Sequence, residues 1–63
     1  MKLIEVIKWE ATKKAVVLVY AAASTDLADE VGDINISSGS MAYLANGKVY
    51  VYDGTNWNEI GGE

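Results

Sequence analysis

The stretch MAYLANGKVYVYDGTNWNEI, residues 41–60, contains a complete folding instruction for a β-meander. Asn46-Gly47 lies between two runs of β-forming residues, and this dipeptide is the strongest short signal for a two-residue type I′ hairpin turn. A second cluster of turn-forming residues, Asp53-Gly54-Thr55-Asn56, returns the chain for a third strand. The sequence therefore predicts three antiparallel strands joined by two tight turns.

A hairpin closed at Asn46-Gly47 also predicts which side chains share a face. It sets Tyr43 opposite Tyr50 and Ala42 opposite Val51, and side chains alternate between the two faces of a strand. One face would be aliphatic, with Ala42, Leu44, Val49, Val51 and Ile60. The other would be aromatic, with Met41, Tyr43, Tyr50, Tyr52 and Trp57. We expect the aromatic face to be buried between subunits, where Tyr and Trp are enriched, or to stack on a glycan.

The length and composition of the chain limit how it can be stabilised. Its 63 residues and 6.8 kDa allow one small domain, 1–63, near the lower limit for independent folding. For a chain of this size hydrophobic stabilisation and the entropy cost of ordering nearly cancel. The sequence contains no Cys and no His, which excludes disulfides and a thiolate or imidazole zinc site. We therefore expect association with other subunits to supply the missing stability.

The charge is acidic and unevenly distributed. A net charge of −4 and a pI of about 4.5 argue against nucleic acid as a partner. Residues 1–23 carry an excess of lysine, whereas residues 24–63 carry most of the carboxylates. Such a bipolar chain could pack head to tail, although solvated surface charge explains the same pattern.

The N-terminal third predicts a β-hairpin, residues 1–23. KLIEVIKWE, residues 2–10, is rich in β-branched residues and would form a strand. Strict alternation places Leu3, Ile7 and Trp9 on one side and Ile4 and Val6 on the other, with Trp9 as a core or interface anchor. Thr12-Lys13-Lys14 would form the turn, and the apolar run Ala15–Ala23 the second strand. A strand that is apolar on both faces must be covered twice, which makes Leu18 and Tyr20 interface candidates.

Residues 24–40 predict a short helix and a connector. Ser24 or Thr25 can cap a helix near residues 25–31 that Gly32 would end. Its carboxylates do not fit a calcium loop, and a solvated acidic face explains them better. Residues 37–40, SSGS, predict a flexible connector into the meander. The expected fold is mostly β, a small antiparallel meander of about five strands with one short helix.

The first residues also imitate a secretory signal, with lysines, an apolar run and the small residues Ala21-Ala22-Ala23. Glu5 and Glu10 argue against that interpretation, because they lie where a basic region should be. No segment reaches the roughly 18 apolar residues of a membrane span, so we expect no membrane partner.

The sequence lacks two of the residue types that enzymes often use for catalysis. Without His or Cys, the usual general base and thiol nucleophile are missing. Gly61-Gly62 precedes no helix and is expected to be a frayed tail rather than a phosphate loop. We expect no catalytic residue, no cofactor and no metal, and hence a protein that is not an enzyme.

Residues 39–60 resemble a known type of hairpin. Gly39-Ser40-Met41-Ala42-Tyr43, then GKVYVYDG at 47–54, then Trp57 and Ile60, are similar to a hairpin of small virion proteins and fibre-associated modules of tailed bacteriophages and prophages. EVIKWEAT and STDLADEVGD also look like the openings of very short phage structural proteins. The resemblance implies a non-enzymatic virion component, homo-oligomeric and attached to capsid, neck, tail or fibre.

The sequence therefore leads to two functional expectations. The first is a phage structural subunit that is assembled in the host cytoplasm, resides in the virion, and has itself and other virion proteins as partners. The alternative is a carbohydrate-binding adhesion module that uses the aromatic face.

Overall fold

The computed structural model describes residues 1–60 and shows a seven-stranded mixed sheet. The strands are β1 (Lys2–Ala11), β2 (Lys14–Ala21), β3 (Glu30–Val31), β4 (Ile34–Ile36), β5 (Met41–Leu44), β6 (Val49–Tyr52) and β7 (Trp57–Ile60). Helical structure in the described part of the chain is limited to one 3₁₀ turn, Ser24–Asp26. The prediction of a mostly β fold is confirmed, and Gly61-Gly62 lies outside the described residues.

Strand β2 is the centre of the sheet. Antiparallel β1 occupies one of its edges, and two parallel strands share the other edge. β4 pairs with the start of β2, at Lys14 and Ala15, and β5 pairs with its end, at Leu18–Ala21. β5, β6 and β7 form the predicted antiparallel meander, and β3 pairs with β4. The sheet is mixed because the meander joins the N-terminal hairpin through a parallel pairing.

The helix predicted near residues 25–31 is reduced to a single turn. Leu27, directly after Ser24–Asp26, has extended dihedral angles of φ −74° and ψ 136°. Glu30 and Val31 form β3, which pairs with β4. The backbone hydrogen bonds of this pairing replace those that a helix of two turns would have formed within residues 25–31. Gly32, with φ +59°, makes the β3–β4 turn instead of ending a helix.

The predicted flexible connector, residues 37–40, is held in place by hydrogen bonds. Ser37 and Ser40 are buried, and the Ser37 backbone N–H donates to the carbonyl oxygen of Ala15 at 2.8 Å. The Ser40 hydroxyl donates to the carbonyl oxygen of Ser37 at 2.7 Å and accepts from the backbone N–H of Val17 at 2.9 Å. The prediction of flexibility was wrong because these two serines form hydrogen bonds with the backbone of β2, at the point where the neighbour of β2 changes from β4 to β5.

The register of the β5–β6 hairpin differs by one residue from the prediction. Tyr43 lies opposite Val49, and Ala42 lies opposite Tyr50. The reason is a three-residue loop: the Leu44 N–H donates to the carbonyl oxygen of Lys48 at 2.9 Å, and the Gly47 N–H donates to that of Leu44 at 3.0 Å. Gly47 has φ +90°, but Asn46 does not have the positive φ that a type I′ turn requires. A slip of one residue moves every side chain of β6 to the other face.

The core lies on one side of β2. Its buried residues are Ala15, Val17, Val19, Ala21, Ile36, Ala42, Leu44 and Tyr52. The Trp57 ring packs against Tyr52, with centroids 5.0 Å apart, and its Nε1–H donates to the carbonyl oxygen of Ala28 at 2.8 Å. This bond ties β7 to residues 24–31. Within residues 1–60, no helix has the length and apolarity needed to cross a bilayer.

Candidate functional site

The side of the sheet opposite the core carries a continuous apolar surface. Opposed residues of paired strands share a face, so the registers align one row across β2, β5, β6 and β7 as Tyr20, Tyr43, Val49 and Ile60. A second row runs through Leu18, Met41, Val51 and Asn58. The outer face is defined here as Val16, Leu18, Tyr20, Met41, Tyr43, Val49, Val51 and Ile60. The described core cluster does not include these residues.

An apolar outer face is unusual for a small sheet. A sheet with one face on the core commonly places polar side chains on its solvated face. Here Tyr20 and Tyr43 are 41% and 43% exposed and lie side by side in the β2–β5 register. Each outward side chain covers about 33 Å² of a sheet, so the eight residues cover about 260 Å². The largest apolar patch of a typical monomer covers about 300–600 Å² and is often functional, so the outer face is a candidate site through its apolar character on a solvated face and not through its size.

Strand β1 forms a second apolar surface with a period of three residues. Leu3, Val6 and Trp9 lie opposite Val19, Val17 and Ala15. The register shifts once after each of these three β1 residues, and the extra residues are Ile4, Ile7 and Glu10. Each shift is a β-bulge or similar irregularity, which bends the strand and increases its right-handed twist. The sequence shows the same period as LIE-VIK-WEA, residues 3–11.

This register corrects the predicted alternation of β1. Leu3, Val6 and Trp9 share the core side, because their partners in β2 are buried. The alternation was wrong because it assumes equal numbers of residues on both strands. Ile4 is 52% exposed, and Ile7 and Trp9 are each 56% exposed. We call the exposed apolar residues of this strand the β1 surface; they are Leu3, Ile4, Ile7 and Trp9.

The predicted aromatic face does not form as one surface. Tyr52 is buried, and Tyr50 and Trp57 are half-buried and pack against the core. Tyr43 lies on the outer face instead, beside Tyr20. The one-residue slip at the Asn46-Gly47 loop separates these rings.

The other site candidates fall in three places. Leu18 lies on the outer face, and Trp9 on the β1 surface. Asn46 and Gly47 lie in the β5–β6 loop, and Asp53 and Gly54 in the β6–β7 loop, where Gly54 has φ +101°. Sequence reasoning did not single out the other residues of the two surfaces: Leu3, Ile4, Ile7, Val16, Val49, Val51 and Ile60. The period of three in residues 3–11 was the signal available for those on β1.

Charged residues border the two surfaces. Lys2, Glu5 and Lys8 lie opposite Tyr20, Leu18 and Val16, and thus form the β1 margin of the outer face. Lys8 Nζ lies 3.6 Å from Glu10 Oε2, and Lys48 Nζ lies 3.6 Å from Glu59 Oε2. Both pairs are solvent-exposed, so they contribute little to stability.

Asp53 has a structural role in the second turn of the meander. Its Oδ1 accepts hydrogen bonds from the backbone N–H of Asn56 at 2.7 Å and of Thr55 at 2.8 Å. Its Oδ2 accepts from Asn58 Nδ2 at 2.9 Å. The bond from the Asn56 N–H, followed by those from Thr55 and Asn58, lowers the pKa of Asp53. Its carboxylate is therefore ionised and holds the turn.

The described chain offers surfaces rather than a chemical centre. Residues 1–60 enclose no pocket and contain no group of three His, Cys, Asp or Glu side chains placed to hold a metal. Comparison of the chain with protein families, with curated proteins and with solved structures found no match.

Proposed function

We propose that this protein is a non-enzymatic structural subunit that assembles with copies of itself, as part of a bacteriophage particle. One observation carries the proposal: a sheet with one small core leaves two further apolar surfaces in water, the outer face and the β1 surface. The setting in a phage particle is supported by the resemblance of residues 39–60 to hairpins of phage virion proteins.

The composition of the core favours assembly. Its eight buried residues include three alanines and two valines, which bury little area each. The largest exposed apolar side chains, among them Trp9 and Ile7, lie outside this core. Covering them with another subunit adds hydrophobic stabilisation that the isolated chain lacks.

The size of the surfaces favours contacts on more than one of them. The outer face covers about 260 Å², well below the roughly 800 Å² that each partner contributes to a standard interface. The outer face alone is thus small for a stable interface, which favours an assembly that also covers the exposed apolar residues of β1.

Measurement of the mass in solution tests assembly. Sedimentation velocity between about 1 μM and about 1 mM covers the range in which weak self-association is visible. We expect a mass that rises to a multiple of 6.8 kDa. A constant mass of one chain over the whole range would contradict the proposal.

Analysis of particles tests the phage setting. Phage particles released by the bacterium that encodes the chain would be purified by density and digested for mass spectrometry. Peptides from residues 1–60 should be recovered with the particles. Recovery from the cell lysate but not from the particles would contradict this setting.

A glycan-binding function is the second candidate, and the Tyr20–Tyr43 pair favours it. These two rings are exposed neighbours on adjacent strands, about 4.8 Å apart in backbone spacing, and can stack on a sugar ring. Calorimetric titration with free oligosaccharides, on the wild type and on Tyr43→Ser, distinguishes the two functions. Binding that is lost in Tyr43→Ser while the mass is unchanged would favour adhesion.

A further inference from the structure

We infer that two copies of this chain pair antiparallel along β1, about a two-fold axis that passes between Val6 and Ile7. The inference rests on the proposed self-assembly and names the contact that produces it.

Strand β1 has an open edge. It spans ten residues and bonds along one edge to β2, while its other edge pairs with no strand in residues 1–60. Such an edge presents a row of backbone N–H and C=O groups that can bond to another strand. Ile4, Ile7 and Trp9, each more than half exposed, lie along this strand.

The order of charges on β1 identifies the occupant as a second copy. Lys2, Glu5, Lys8 and Glu10 alternate in sign along the strand. Antiparallel pairing of Lys2–Ala11 over its full length places the symmetry axis at its midpoint, between Val6 and Ile7. This register sets Glu5 opposite the partner's Lys8, and the two-fold symmetry produces that pair twice.

The same register also pairs the apolar residues. It sets Ile4 opposite the partner's Trp9 and Val6 opposite the partner's Ile7, and these contacts are likewise doubled. Large cross-strand pairs of this kind stabilise antiparallel strands.

Shifted registers are worse. An axis at Glu5 places Glu5 against the partner's Glu5 and Lys2 against the partner's Lys8, so like charges meet. An axis at Val6 sets Lys2 opposite the partner's Glu10 near the strand ends, but it places Glu5 against the partner's Ile7 and Lys8 against the partner's Ile4 near the centre. In the full-length register the charges that face apolar residues are Lys2 and Glu10, and these lie at the ends of the strand. The full-length register therefore gives both the greatest overlap and opposite charges at the centre.

The bulges of β1 restrict which strand can pair with it. A bulged, strongly twisted edge does not match a flat strand of another protein, and bulges protect edges for this reason. A second β1 carries the same irregularities at the same spacing and therefore the same twist. The edge thus excludes most strands but accepts its own copy.

Two complementary charge reversals test the contact. Glu5→Lys sets a lysine against the partner's Lys8, and Lys8→Glu sets a glutamate against the partner's Glu5, so each variant repels itself. An equimolar mixture of the two variants allows dimers that contain one copy of each. In such a mixed dimer both central pairs again have opposite charges. We expect sedimentation velocity to show association at least about tenfold weaker for each variant alone, and recovery to near the wild-type value in the mixture.

Two control variants separate this effect from others. Lys48→Glu makes the same charge change as Lys8→Glu on the other exposed Lys-Glu pair, away from β1. Glu10→Gln removes the Lys8–Glu10 pair within one chain but leaves the central pair of Glu5 with the partner's Lys8 intact. Both controls should associate like the wild type, and circular dichroism should show a wild-type β spectrum for every variant.

The outcomes distinguish this inference from the proposed function. If the wild type stays at the mass of one chain at every concentration, both are wrong. If it assembles and the charge reversals do not weaken assembly, or the mixture is not rescued, the β1 contact is wrong. In that case Leu18→Asp should dissociate the assembly through the outer face, and the proposed function stands.

Discussion

The Ser40 hydroxyl oxygen accepts a hydrogen bond from the backbone N–H of Val17 at 2.9 Å, which joins two residues 23 positions apart in the sequence. The bond lies where β2 passes from one parallel neighbour to the next. Ala15 is aligned with β4 and Leu18 with β5, so Val17 falls between the two ladders. A serine side chain thus takes the place of a backbone carbonyl in the centre of the sheet.

Ser40→Ala should destabilise the fold by about 1 to 3 kcal/mol, because it leaves the buried N–H of Val17 without an acceptor. The measurement is the free energy of unfolding from urea denaturation. Ser38→Ala, at an exposed position in the same connector, should have little effect. Equal stabilities of the two variants would show that the hydroxyl is not needed.

Gly47→Val should destabilise the fold by about 1 to 3 kcal/mol, because a β-branched residue is strained at φ +90°. Steric crowding does not add to this, since a Cβ at Gly47 meets no atom within 4 Å. Gly47→Asn is the matched control, as Asn tolerates a positive φ better. Thermal denaturation should therefore give Gly47→Asn the higher midpoint, and the reverse order would contradict the loop geometry.

Stability should depend on the ionisation of Asp53. Hydrogen bonds lower its pKa in the folded protein, chiefly the bond from the Asn56 N–H. The resulting stabilisation is fully present above the unfolded-state pKa of about 3.9, and is lost as the pH falls through the lower folded-state value. We therefore expect the melting temperatures of the wild type and Asp53→Asn to converge on acidification from about pH 7 to about pH 2.

Asp26→Asn is the control for this titration, because it changes the net charge equally at a site away from the turn. If the wild type and Asp53→Asn differ by the same amount at all pH values, the Asp53 carboxylate does not hold the turn through its charge.

Val17→Asp and Leu18→Asp should fail in different ways. The Val17 side chain is fully buried in the core, so an unpaired carboxylate there should prevent cooperative folding. Leu18 is half-buried on the outer face, so Leu18→Asp should keep a β spectrum and weaken association. Circular dichroism with sedimentation velocity checks both outcomes, and a folded Val17→Asp variant would contradict the placement of the core.

The sequence predicted well those features that depend on short-range chemistry. The turns at Gly47 and Gly54 and the N-terminal hairpin follow from residue types within a few positions of each other. The partners of β2 could not be predicted in this way. They depend on contacts such as Ser40 with Val17, which no local pattern in SSGS indicates.

The candidate surfaces were harder to predict, because a single inserted residue moves all following side chains of a strand to the opposite face of the sheet. Tyr50 changed sides through one extra residue in the Asn46-Gly47 loop. In β1, Ile4 and Ile7 left the expected alternation through the register shifts. The residue types correctly indicated excess apolar surface, but only the register shows that Tyr20 and Tyr43 lie together.

The register shifts of β1 also control the curvature of the N-terminal hairpin. Lys2–Ala11 runs alongside Lys14–Tyr20, so β1 uses three more residues than β2 over the same stretch. Each extra residue bends β1 locally and increases the right-handed twist of the hairpin. The number of inserted residues therefore determines how far the hairpin departs from a flat ribbon. Deleting Ile4 or Ile7 would straighten the hairpin stepwise and change the angle between any two subunits that meet along it.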